Sequence, residues 1–91
     1  MMKFNNTHRD QYIQSCIDRM EKGDIEAFVE CAQSDIPVLN INSITLGALH
    51  HISDERYIDL LENKLCKSSI KFFGIEMHEY AKRALEQIKS N

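Results

Sequence analysis

Apolar residues recur along this chain at spacings of three and four, the period of a helix face rather than the two-residue alternation of a strand. Ile13, Cys16, Ile17 and Met20 form the first such stripe. Ahead of it, Thr7-His8-Arg9-Asp10 resembles a capping box with Asp at the fourth position. This predicts a helix from Thr7 to Glu21. Gly23 supplies a stop, and Asp24 caps a second helix, Asp24 to Gln33, in which Ile25, Phe28, Val29 and Ala32 share one face. Ser34-Asp35-Ile36-Pro37 ends it. Val38 to Ile41 reads as an apolar connector, the one plausible extended piece, and Asn40 or Asn42 caps a third helix, Ser43 to Ile52. Ile44, Ala48, Leu49 and Ile52 are its inward positions. Ser53-Asp54 opens a fourth helix, Asp54 to Cys66, that buries Tyr57, Ile58, Leu61 and Leu65. Lys67 to Gly74 is a break. Ile75 to Lys89 is a fifth helix with Met77, Ala81, Ala84, Leu85 and Ile88 on one stripe. The expected fold is all-α: about five helices in antiparallel pairs, no strand, and a single domain over residues 1–91.

Three helix ends repeat one local pattern. Cys16-Ile17-Asp18-Arg19-Met20, Ala48-Leu49-His50-His51-Ile52 and Ala84-Leu85-Glu86-Gln87-Ile88 each read small, large apolar, two mostly polar positions, large apolar. An Asp-capped helix follows the first two at once. The small residue lets helices approach and the large ones fill the groove between them, so Ala48 and Ala84 are expected at close contacts, with Leu49, Ile52, Leu85 and Ile88 in the core. Ala48 to Leu65, A-L-H-H-I-S-D-E-R-Y-I-D-L-L-E-N-K-L, resembles a HEAT repeat, and Glu79 to Ile88 resembles the first helix of the next one. The resemblance covers about half of the chain. It implies a HEAT-like α-solenoid of roughly two and a half repeats. The Pro37-containing connector and the missing last helix depart from that family's pattern.

Composition narrows the function classes. The 91 residues are 43% hydrophobic and 27% charged, as in an ordinary globular domain. Lys and Arg total 11 against 14 Asp and Glu, a net charge of -3. The excess lies in Met1 to Thr45, with four basic and seven acidic residues. Such a chain is a poor match for phosphate backbones, whose affinity comes mainly from Lys and Arg. The charge-poor run from Ile36 to Ile52 carries Pro37, Asn40 and Asn42 and cannot span a bilayer. With no signal-peptide pattern at the Met-Met start, the expected location is cytoplasmic. Cys16, Cys31 and Cys66 are odd in number and widely spaced, so no disulfide is expected. His50 and His51 point about 100° apart on a helix and cannot share a metal. No phosphate loop, nucleophile elbow or zinc-protease motif occurs. The reading is therefore a protein without catalytic residues, metal or cofactor.

Charge placement suggests a binding surface. Opposite the buried stripe of the second helix lie Glu26, Glu30 and Gln33; opposite that of the fourth lie Glu55, Asp59 and Glu62. If the two helices stack, these become rungs of one acidic face, either solvated only or a platform for a basic protein. Ile70, Phe72 and Phe73 sit in the break before the last helix and either plug the open end of the stack or form an exposed apolar anchor. In size, charge and architecture the chain resembles the small bacterial immunity proteins that neutralise toxin domains, those of contact-dependent growth-inhibition systems in particular. That resemblance implies an inhibitor of a basic, nuclease-type toxin. An adaptor or regulatory subunit, including a phage-encoded inhibitor of a host complex, is the second reading. A nucleic-acid-binding helical repeat is the third, and a lyase-like HEAT enzyme the fourth.

Overall fold

Two of the helices begin where an Asp side chain satisfies free amide groups, as the computed structural model, which describes residues 7–90, shows. Helix α1 spans Thr7–Glu21. The Thr7 side chain, and with it the expected capping box, lies outside the described residues. Gly23 adopts φ 82° and closes α1, its N–H bonding Met20 O at 2.9 Å while Asp24 N–H reaches back to Arg19 O at 3.1 Å. Helix α2, Ile25–Gln33, is capped by the Asp24 side chain, which accepts from Glu26 N at 3.1 Å. Helix α4, Glu55–Asn63, is capped in the same way by Asp54, which accepts from Arg56 N at 2.9 Å.

Helix α3 departs from the reading above. It spans Pro37–Leu49 and so includes Val38 to Ile41, the segment expected to be an extended connector. The reason is that Pro37 stands at the first helical position, where its ring presets φ and its missing N–H costs nothing. Asn40 is therefore not a cap. Its side chain donates to the carbonyls of Cys31 at 2.8 Å, Ala32 at 3.3 Å and Ser34 at 3.0 Å, tying α3 to the end of α2. Helix α3 also stops earlier than expected. His51 turns left-handed at φ 53°, and Ile52 N–H bonds Gly47 O at 2.9 Å.

Helix α4 ends at Asn63 and is followed by a 3₁₀ turn, Leu65–Lys67. The break then forms a short hairpin that the helical reading did not contain. Strand β1, Lys71–Phe72, pairs antiparallel with β2, Ile75–Glu76, placing Lys71 opposite Glu76 and Phe72 opposite Ile75. Phe73 at φ 54° and Gly74 at φ 79° make the two-residue turn. Helix α5 follows directly as Met77–Lys89, two residues later than expected.

The described residues are mostly helical, with five α-helices and this one hairpin. Helix α3 packs on α1, α2 and α5, while α2 also packs on α4. Phe28, Met20, Leu39, Ile44, Tyr57, Leu61, Leu65 and Met77 fill the centre. Tyr57 is fully buried; its ring meets Phe28 edge-on at 5.8 Å and its hydroxyl donates to Ser43 O at 2.6 Å. Ile52, Ala84 and Ile88 are buried as expected, and Leu85 and Ala48 are half-buried against the core. Leu49 is not core. It is 68% exposed, because the helix ends there and the left-handed residue that follows returns Ile52 to the interior instead.

Candidate protein-binding face

Helices α2 and α4 lie side by side and run in the same direction. Their first turns are joined by Arg56, which holds both oxygens of Glu26, Nη2 to Oε2 at 2.7 Å and Nη1 to Oε1 at 3.2 Å. Their last turns are joined by Lys64, whose ammonium donates to the carbonyls of Ala32 at 3.0 Å, Gln33 at 2.6 Å and Ser34 at 2.7 Å. A cation at the carbonyl end of α2 also opposes its dipole. Of the expected acidic rungs, Glu26 is thus joined to α4 through Arg56, whereas Glu30 turns toward α1 and Glu62 toward α5.

The rungs are not the row of mutually repelling carboxylates that sequence spacing suggests. Glu30 accepts from Tyr12 Oη at 2.6 Å, Arg19 Nη1 at 3.2 Å and Cys16 Sγ at 3.8 Å, all three donors coming from α1. Arg19 also bonds Asp24 Oδ2 at 3.1 Å, and Arg56 bonds Asp54 Oδ1 at 3.1 Å. Glu62 pairs with Lys89 of α5 at 2.8 Å. Among the described residues, Glu55 and Asp59 have no cationic partner; Asp59 accepts only from Asn63 Nδ2, at 2.7 Å.

The protonation pattern follows from these contacts. The Tyr12 hydroxyl, and after it the Arg19 guanidinium, hold the Glu30 carboxyl below its ordinary value. Arg19 does the same to Asp24, and Arg56 to Asp54. Reciprocally, Glu30 raises the Tyr12 phenol, and Glu26 with Asp54 raises Arg56.

Four carboxylates, Asp24, Glu26, Glu30 and Asp54, therefore share two guanidiniums, Arg19 and Arg56. Two negative charges of this cluster are left over. Beside it lies an open hollow of about 400 Å³ walled by Tyr12, Glu26, Val29, Glu30, Gln33 and Ser34. Tyr12 and Arg19 are the residues that sequence reasoning missed. They stand seven apart, with Cys16 between them at i+4, so all three lie on the α1 face turned to Glu30.

The three apolar candidates separate. Phe72 is half-buried and packs against the core, whereas Phe73 is 96% exposed at the hairpin tip and Ile70 is 46% exposed. Phe73 thus plugs nothing. None of the three joins the charge cluster.

The remaining candidate chemistry is structural in its setting. The three thiols are free; Cys16 and Cys31 are buried, and burial beside Cys16 pushes the Cys31 thiol up to about 12. His78 bonds Glu76 Oε1 at 2.9 Å, and His50 sits edge-on to Phe28 at 6.0 Å. Among the described residues no group of His, Cys, Asp and Glu has the arrangement of a metal site, and no helix is long and apolar enough to cross a membrane. The chain matches no protein-family model, and neither a curated protein nor a solved structure matches it.

Proposed function

We propose that this protein is a protein-binding inhibitor of the immunity-protein kind, a cytoplasmic HEAT-like helical module that neutralises a basic, nuclease-type toxin domain through the α2–α4 face. The stacking of like helices supports the HEAT-like part of this reading, since α2 runs beside α4 and α3 beside α5. The observation that carries the function is the charge cluster and the hollow next to it. An incoming Arg or Lys side chain would lay its methylene stem along Val29, present its charge to the Tyr12 ring, and meet the surplus negative charge around Glu26 and Glu30. The two cation-free carboxylates, Glu55 and Asp59, extend the field along α4 and steer the partner inward. The same field repels a phosphate backbone.

The test uses Glu55→Lys with Asp59→Lys, because neither residue is bound to a cation of the fold. The variant is expected to keep its fold, melting a few degrees lower at most because Glu55 lies in the first turn of α4, while association with a purified basic, nuclease-type toxin domain slows by about tenfold or more at low salt. An unchanged association rate, with the circular dichroism spectrum intact, would remove this face from the mechanism. The adaptor or regulatory-subunit reading uses the same surface and differs in the outcome: the partner is bound and remains active.

A further inference from the structure

Among the described residues, Phe73 is the most exposed large apolar side chain, at 96%, and it stands where the backbone favours it least. A two-residue hairpin turn with both φ values positive prefers Asn-Gly, yet its first position holds Phe73 at φ 54°. Ile70, at the foot of the same hairpin, is 46% exposed. The hairpin is nevertheless braced from behind by the start of α5. Met77 N–H donates to Ile70 O at 2.7 Å, His78 N–H to Ser68 O at 3.0 Å, and Tyr80 Oη to Phe72 O at 2.9 Å. Phe72 packs against the core. The Phe73 ring is therefore held out in water by a fixed strut, at a strained backbone position, and neither feature helps the chain to fold.

The charge around this tip is of one sign. From Lys64 to Ile75 the chain carries three lysines and no acidic residue. Lys64 is spent on the carbonyls at the end of α2. Lys67 and Lys71 are exposed, and among the described residues neither side chain has a hydrogen bond or an ion pair. Of the carboxylates that follow, Glu76 is bonded to His78 and Glu79 is exposed on α5. The acidic surplus of the protein lies elsewhere, in Met1 to Thr45.

We propose that this hairpin docks on an anionic lipid surface, with Phe73, and Ile70 behind it, entering the boundary between headgroups and acyl chains while Lys67 and Lys71 lie over the anionic headgroups. The protein then rests on the bilayer and does not cross it. Two apolar side chains are too little for a stable protein interface, which takes ~800 Å² from each partner. A bilayer sets no such area. An inserted aromatic side chain or a pair of lysines alone gives marginal binding, and the two signals together give reversible attachment. Each lysine near an anionic leaflet contributes about fivefold in affinity. The ring gives up no internal contact on inserting, and the brace from α5 leaves little to be ordered. None of these residues belongs to the acidic α2–α4 face, so the two surfaces are independent.

Co-sedimentation of the full chain with phosphatidylcholine vesicles containing about 30% phosphatidylserine, beside vesicles of phosphatidylcholine alone, tests the proposal. The parent should pellet with the anionic vesicles only. Raising salt from about 0.1 M to 1 M, which shortens the screening length from ~10 Å to ~3 Å, should release it. Phe73→Asn should weaken binding by about tenfold or more, and Lys67→Gln with Lys71→Gln by about twenty-five-fold, both variants keeping the parent's circular dichroism spectrum. The chain contains no Trp, so Phe73→Trp adds a single reporter at the tip. Its emission should shift to the blue when anionic vesicles are added, because the ring leaves water. A parent that does not pellet with anionic vesicles overturns the proposal, as does equal binding to neutral ones. Undiminished binding by Phe73→Asn, or an unshifted emission from the pelleted Phe73→Trp variant, overturns it as well.

Discussion

Gly47 should be intolerant of the one substitution that helix propensity recommends. It lies inside α3, where Ala is favoured over Gly by about 1 kcal/mol. A Cβ built there, however, stands 2.5 Å from Tyr57 Cζ and closer still to its hydroxyl. Tyr57 cannot swing aside as a flexible surface chain would. It is fully buried, packed edge-on against Phe28, and held by its bond to Ser43 O. Overpacking of this kind costs about 1–3 kcal/mol, and displacing the hydroxyl from Ser43 O adds roughly 1–3 kcal/mol for polar groups left unpaired. Against the propensity gain, Gly47→Ala should destabilise by about 1–5 kcal/mol. For a domain of this size, at about 4–8 °C per kcal/mol, that lowers the thermal midpoint by at least several degrees and by tens of degrees at the upper end. Thermal melts followed by circular dichroism measure it. Repeating the substitution in a Tyr57→Phe background removes the closest clash, so the penalty should shrink there, a coupling that a double-mutant cycle reads directly. A midpoint raised by Gly47→Ala in the parent would refute the reasoning, since only an uncrowded glycine behaves that way.

Three other perturbations follow from the same geometry. Lys64→Met keeps the aliphatic stem but removes the ammonium from the Ala32, Gln33 and Ser34 carbonyls, and should cost about 1–2 kcal/mol in chemical denaturation. Glu30, Asp24 and Asp54 have folded-state pKa values below their unfolded ones, so the stability they contribute is present above about pH 5 and lost as pH falls through the depressed values; acid titration of Glu30→Gln should show a shallower loss than the parent. Phe73→Asn should raise the midpoint by a few degrees, because Asn tolerates the left-handed backbone and the ring gives up no intramolecular burial.

The helices that announce themselves by a cap were legible in the sequence, and those that depend on tertiary partners were less so. Asp24 and Asp54 mark α2 and α4 because an Asp side chain satisfies free amides locally. The start of α3 was hidden because Pro37 is equally a terminator and a favoured first residue, and its helix is bound to α2 through Asn40 rather than through any local signal. The hairpin was hidden because two-residue strands are too short to show alternation, and Phe73-Gly74 does not look like the turn it forms. The repeated small–large–polar–polar–large pattern located Ile52, Ala84 and Ile88 correctly. It misplaced Leu49 by treating the helix as continuous through His51. The acidic rungs could be counted on α2 and α4 from spacing alone. Their neutralising partners, Arg19 from α1 and Lys89 from α5, come from other helices, and no periodicity within one segment reveals them.

That distinction divides the acidic face by role. Both Glu26 oxygens are held by Arg56, and Glu30 is held at one oxygen by Arg19 and at the other by Tyr12 and Cys16. These two carboxylates connect helices, so replacing them disturbs α1 against α2 or α2 against α4 as well as any partner. Glu55 and Asp59 carry no such duty, and their charge is fully available to solvent and to whatever approaches. Exposed charges act on encounter over about 10 Å at 0.1 M salt and contribute little to the lifetime of a complex once formed. For a partner docked as proposed, the hollow beside Tyr12 and Val29 would act in the opposite sense, because contact inside it would be made only after docking and would resist separation. A partner bound here would therefore show an association rate that falls with salt and depends on Glu55 and Asp59. Its dissociation rate would depend on Tyr12 and Val29 and be nearly indifferent to salt. The separation of these two dependences distinguishes recognition by this face from non-specific attraction between an acidic protein and a basic one, in which both rates respond to net charge alone.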